Sequence, residues 1–207
     1  MDETTPQQQL TSLTDWLRIH TGHISGALGT ALHRAGVHPD WVSLAGFGMV
    51  VGGAALLANG QLVLAGWLIC LSGLFDALDG AVARARGIRN PFGAVLDSVL
   101  DRYADGFIFA GFGYYFASSD QTSLFVVALL ALVGSYTVSY ARSRAANPDV
   151  RLTVKVGWFS RFERLALVVW GLWLHPWLLA PALWVLAVGT NLTALQRLLY
   201  IRKHIED

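Results

Sequence analysis

The stretch LVLAGWLICLSGLFDALDGAVA, Leu62 to Ala83, decides the fold of this chain. Its first fourteen residues, Leu62 to Phe75, carry no charge, and then Asp76 and Asp79 appear before the apolar pattern has ended. A helix of this length rises about 33 Å, enough to cross a hydrocarbon core of about 30 Å. A carboxylate inside such a helix costs on the order of 3 kcal/mol. The segment therefore reads as a transmembrane helix that keeps two expensive acids for a purpose.

Working outward, five more apolar stretches flank it: Val42 to Leu57, Phe92 to Ala117, Thr122 to Tyr140, Leu165 to Leu174 and Trp177 to Tyr200. The Leu165 stretch is short, and its helix is expected to begin near Phe159, with Arg161, Glu163 and Arg164 in the first turns. The chain is 54% hydrophobic and only 14% charged, against about 25% charged in a soluble domain. The fold class expected is all-α, an integral membrane bundle of six transmembrane helices. An amphipathic helix in Ile24 to Val37, with Ile24, Leu28, Ala31 and Leu32 at helical spacing, precedes them on the membrane surface. Residues 1–23 form a polar N-terminal tail, and residues 24–204 form one membrane domain. Cys70 lies within an apolar run and reads as a small buried hydrophobe.

The charges orient the bundle. The turns Ala58 to Gln61, Ser118 to Gln121 and Leu174 to Trp177 hold no Lys or Arg, while all fifteen basic residues fall at the opposite helix ends. The positive-inside rule then makes this a multi-pass protein of the plasma (inner) membrane with both termini in the cytoplasm. Net charge is +1, and no feature points to a nucleic-acid partner.

Asp76, Asp79, Gly80 and Ala83 stand at i, i+3, i+4 and i+7, so they share one helix face. Gly93, Asp97 and Asp101 stand at i, i+4 and i+8 on the next helix, and the connection from Arg84 to Phe92 is short enough to make the two helices antiparallel neighbours. Four acids converging in an apolar setting repel one another unless cations lie between them. Arg84 and Arg102 could neutralise part of that charge in a purely structural cluster. Hard oxygen ligands in a partly hydrated pocket suit Mg²⁺ or Mn²⁺, and two such ions bind a pyrophosphate while stabilising attacking and leaving oxygens. A glycine beside the acids lets a ligand approach the backbone closely.

The run Asp76-x2-Asp79-Gly80-x2-Ala83-Arg84-x8-Gly93-x3-Asp97-x3-Asp101 resembles the signature of the CDP-alcohol phosphotransferase family at every fixed position. The resemblance implies a transferase that moves a phosphatidyl-type group from CDP-diacylglycerol to an alcohol with release of CMP. It implies two divalent ions on Asp76, Asp79, Asp97 and Asp101, contacts from Gly80, Arg84 and Gly93 to the CDP moiety, and Asp101 as general base. It also implies a cytoplasmic active site and a homodimer. Asp105 continues the spacing and is similar to a family-frequent Asp-Arg-x-x-Asp, with a supporting and a direct role both open. Pro39-Asp40-Trp41-Val42-Ser43 departs from the family's Pro-Asn-x-x-Thr at both polar positions.

For the acceptor, Ser139-Tyr140-Ala141-Arg142-Ser143-Arg144-Ala145, Arg161-Phe162-Glu163-Arg164-Leu165 and Gln196-Arg197-Leu198 are similar to segments of the family's phosphatidylinositol-phosphate synthase branch. There the basic residues hold inositol phosphate. By that resemblance Arg142, Arg161, Arg164 and Arg197 bind the phosphate of a phosphorylated polyol, inositol 1-phosphate. Ala146 departs from the Glu usual in that branch. The alternative acceptor is glycerol 3-phosphate, as in a phosphatidylglycerophosphate synthase. A reading of a different class is a divalent-cation transporter, with the acids lining an ion path.

Overall fold

The computed structural model describes residues 26–87, 91–147, 152–154 and 156–205. The polar tail, Ile24, Arg18, Arg89, Arg151 and Lys155 lie outside them. The described residues are all-α. A short helix, α1, covers residues 26–34. Six longer ones follow: α2 (Pro39–Ala58), α3 (Leu62–Arg86), α4 (Pro91–Ser118), α5 (Thr122–Ala145), α6 (Arg161–Trp173) and α7 (Leu179–Ile205).

Four of them, α2, α3, α5 and α7, are long and apolar enough to cross a membrane by length and composition. The 28-residue α4 has the length but carries Asp97, Asp101 and Arg102 in its first half and Asp105 just beyond it. The 13 residues of α6 rise about 20 Å. They are preceded by non-helical backbone from residue 156 through Ser160.

The short turns are made by local chemistry. Asn59 ends α2, with its amide donating to the Ala55 carbonyl, and Gly60 takes φ +75. Before α6, Gly157 takes φ +112, and its missing side chain leaves room for the Thr193 methyl. That glycine bends the connection onto α7, where the Phe159 amide donates to the Thr193 hydroxyl.

Packing corrects one expectation. α3 and α4 are not a packed antiparallel pair; among the described residues the principal partner of each is α2. Small residues explain why α2 is the hub. A Cβ on Gly46 would lie 2.9 Å from Phe75, one on Gly53 2.8 Å from Ile69, and one on Gly111 of α4 2.8 Å from the Ala54 carbonyl. Backbones that approach this closely gain dispersion contact where no hydrophobic drive separates helix from lipid. α5 packs on α7 and α4, and α6 on α3 and α7. α1 docks through Gly29 against Ala81 of α3 and leaves Leu28 exposed. The apolar core, including Leu57, Leu62, Phe112, Phe116, Leu172 and Leu183, gathers around the turns that lack basic residues. The opposite half of the bundle is left for polar side chains.

Candidate active site

Each acid sits where its helix brings it to that polar half. Asp76 and Asp79 occupy the last turns of α3, and Asp97 and Asp101 the first turns of α4. With α2 packed behind them, α3 and α4 are held apart, and a pocket opens between them. Its lining includes Asp76, Asp79, Asp97, Asp101, Ser43, Gly46 and Arg161.

Asp76, Asp97 and Asp101 each present a ligand atom, and these atoms lie within 4.8 Å of one another. Three hard anionic oxygens this close fit a divalent ion that takes oxygen ligands at about 2.0–2.1 Å. The structure itself shows that the position attracts a cation: Nη1 of Arg161 donates to Asp76 Oδ1 at 3.0 Å and lies 2.8 Å from Asp101 Oδ1. Asp79 lines the same pocket but is buried, and the Ser43 hydroxyl donates to its Oδ2 at 2.6 Å. Ser43, at a position where the sequence departs from the family pattern, therefore fixes one of the four acids. The neighbouring departure, Asp40, lies beside the His38 cap: its amide donates to His38 Nδ1, the N-cap contact of α2.

The residues expected around the nucleotide, Gly80, Arg84 and Gly93, are not among those that line this pocket, though each lies on the same helices as the acids. Arg84 lies one turn beyond Gly80, and its Nη1 would stand 3.3 Å from a Cβ placed there, so the guanidinium folds over the bare backbone. Gly93 sits half-buried in the first turn of α4. Arg102 donates to the Ser98 carbonyl within α4, not to the acids.

The four arginines expected at the acceptor phosphate divide. Arg164 is buried; its Nη2 donates to Asp105 Oδ2 at 2.9 Å, with Ser139 Oγ at 3.5 Å. Asp105 thus joins α4 to α6 in a sealed ion pair. Arg197 is also buried, donating from Nη1 to the Val138 carbonyl at 2.8 Å and from Nε to the Val156 carbonyl at 3.0 Å. It clasps α5 and the α5–α6 connection to α7. Arg142 is exposed, and its charge and that of Arg164 both bear on Arg197. Arg161 stands at the first position of α6, after the N-cap Ser160, whose hydroxyl donates to Glu163. The basic group and the acidic pocket are therefore contiguous, with Arg161 at the junction.

Sequence reasoning placed Arg161 with the basic group alone and missed its contact with the acids. It also missed the Tyr136 hydroxyl, which donates to the Arg102 carbonyl beside Gly106. No spacing rule links residues on different helices at such separations.

A membrane bundle with acids from two helices facing one pocket, and Arg161 among its lining, is a setting suited to phosphoryl chemistry on a lipid. Residues 36–195 match the CDP-alcohol phosphatidyltransferase family, and the chain belongs to it. Within that family it is similar to the phosphatidylinositol phosphate synthase of Mycobacteroides abscessus, at 40% identity over 186 residues that cover 86% of this chain and 84% of the relative. It also resembles the crystal structure of the Mycobacterium tuberculosis phosphatidylinositol phosphate synthase with CDP-DAG bound. The TM-score is 0.79 at 34% identity, covering 86% of this chain and 94% of the other. The structure of that enzyme in complex with manganese and citrate matches with TM-score 0.78 at 34% identity, covering 86% and 88%. The chain is accordingly a CDP-alcohol phosphatidyltransferase of phospholipid synthesis, and the reading as a cation transporter is set aside.

Proposed function

We propose that this protein transfers the phosphatidyl group of CDP-diacylglycerol to inositol 1-phosphate, forming phosphatidylinositol phosphate and CMP. The observation that carries this is the convergence of Asp76, Asp97 and Asp101 within 4.8 Å directly beside Arg161. One pocket thereby offers a pyrophosphate site and a phosphate-binding arginine together.

Asp76, Asp79, Asp97 and Asp101 hold two Mg²⁺ or Mn²⁺ ions. Bound there, the ions neutralise the pyrophosphate and stabilise the CMP leaving group. Gly80, Arg84 and Gly93 receive the CDP moiety. The acceptor hydroxyl attacks the phosphorus that carries the diacylglycerol. A new P–O bond forms, the bond from that phosphorus to the bridging oxygen breaks, and CMP departs with the oxygen. Asp101 takes the hydroxyl proton as the bond forms.

Arg161 and Arg142 meet the acceptor phosphate directly, because Arg142 is exposed and Arg161 opens onto the pocket. Arg164 and Arg197 contribute positive charge and hold the wall in place. All six longer helices cross the bilayer, α1 lies at its inner surface, and the basic ends face the cytoplasm. The enzyme works as a homodimer.

The test of the reaction is a panel of acceptors with labelled CDP-diacylglycerol in detergent. Transfer to inositol 1-phosphate should exceed that to glycerol 3-phosphate, inositol or serine, and chelator should stop it reversibly. Faster transfer to glycerol 3-phosphate would reassign the acceptor. Cysteines at Gln61, Ser119 and His175 in a Cys70→Ala background should react with an impermeant reagent from outside. Labelling only from the cytoplasmic face would reverse the orientation.

A further inference from the structure

We infer that Arg161 is an exchangeable counter-cation that couples metal uptake to acceptor binding: it neutralises Asp76 and Asp101 until metal displaces it, and the displaced guanidinium then takes the acceptor phosphate. The inference rests on the metal site and phosphate site proposed above, and assigns to one residue the link between them.

The geometry makes the two occupancies exclusive. A single nitrogen, Nη1, lies 3.0 Å from Asp76 Oδ1 and 2.8 Å from Asp101 Oδ1. A divalent ion held by these two oxygens sits at about 2.0–2.1 Å from each, in the space the guanidinium protons fill. A cation already there also repels the incoming one. Leaving costs Arg161 less than it would cost Arg164: it occupies the first position of α6 and the Asp76 side chain is 45% exposed, whereas Arg164 and Asp105 are 5% and 14% exposed.

Its neighbours cannot do the same. The described polar partners of Arg164 are Asp105 and Ser139, and those of Arg197 are backbone carbonyls. None of these is a proposed metal ligand. Among these arginines, Arg161 alone has the proposed ligands as its partners. Linkage then works in both directions: whatever holds the released guanidinium tightens metal binding by the same factor. Metal and acceptor reinforce one another, so a site without acceptor stays partly self-neutralised.

The test is a Mn²⁺ titration of the purified full-length protein in detergent, with free Mn²⁺ read by EPR and inorganic phosphate as the probe. Arg161→Gln should bind Mn²⁺ about tenfold more tightly than wild type, equivalent to about 1.4 kcal/mol. Phosphate should tighten Mn²⁺ binding several-fold in wild type and leave Arg161→Gln unmoved. Arg161→Met, neutral and better tolerated next to lipid, carries the same comparison if the Gln variant does not purify. Equal Mn²⁺ affinity in wild type and variant overturns the exchange, as does an equal phosphate response in both. If Asp76→Asn binds Mn²⁺ as wild type does, the metal site itself is misplaced, and the exchange falls with it.

Discussion

Arg161 and Arg164 lie one turn apart on α6, and each is paired with carboxylate, yet their surroundings make them opposites. The Arg161 side chain is 32% exposed, shares one nitrogen between Asp76 and Asp101, and opens on the pocket. The Arg164 side chain is 5% exposed and pairs with Asp105, itself 14% exposed, with Ser139 nearby. A pair open to solvent on one side is held less tightly than a sealed one and exchanges partners more readily. A buried pair is costly to assemble, but removing one partner strands a charge and costs about 3–5 kcal/mol. The same residue type is thus a movable ligand at one position and a fixed strut a turn later, and solvent access makes the difference.

The largest effects should come from the acids around the movable arginine. Asp101→Asn should slow the chemical step about 10²–10⁴-fold, the range for a lost general base, while CDP-diacylglycerol affinity stays within a few-fold. Asp97→Asn should weaken Mn²⁺ and CDP-lipid binding together. Single-turnover rates alongside binding separate the two. If Asp101→Asn loses lipid binding as badly as Asp97→Asn, Asp101 is chiefly a ligand and the base lies elsewhere.

Next in size is the strut. Arg164→Met or Asp105→Asn alone should cost about 3–5 kcal/mol, seen as a clear drop in melting temperature in detergent. The double replacement Asp105→Leu with Arg164→Met should recover much of it. Arg161→Gln should lower the melting temperature little and raise the acceptor KM far more than the CDP-lipid KM. A loss of stability in Arg161→Gln equal to that in Arg164→Met would erase the distinction between the two.

The smallest effect concerns Ser43. A group that orients a ligand through a hydrogen bond affects metal affinity by about 10–100-fold. Ser43→Ala should fall at the lower end, because Asp79 retains its place on α3. Ser43→Thr, which keeps the hydroxyl, should restore Mn²⁺ binding. Wild-type Mn²⁺ affinity in Ser43→Ala would show that Asp79 needs no help from α2.

Much of this was legible in one dimension. Apolar length marks helices because a bilayer leaves backbone groups no other partner, and the observed α2 to α7 fall on the expected stretches. The acids could be grouped because helical periodicity is fixed by covalent geometry, so Asp76 and Asp79, or Asp97 and Asp101, share a face wherever the helix goes. The family, too, is written in the spacing from Asp76 to Asp101. What the chain order could not supply is which helix lies behind which. The acids meet across a gap rather than a packed seam, because Gly46, Gly53 and Gly111 let α2 pack closely against both α3 and α4, which then need not pack on each other. Nor could it sort the arginines: Arg142, Arg161, Arg164 and Arg197 look alike in sequence, being cations at helix ends. Burial and partner separate them, and both are set by residues 25 to 85 positions away, such as Ser139, Asp105 and Asp76. Local periodicity decides the face a side chain takes, and only the assembled bundle decides what that face meets.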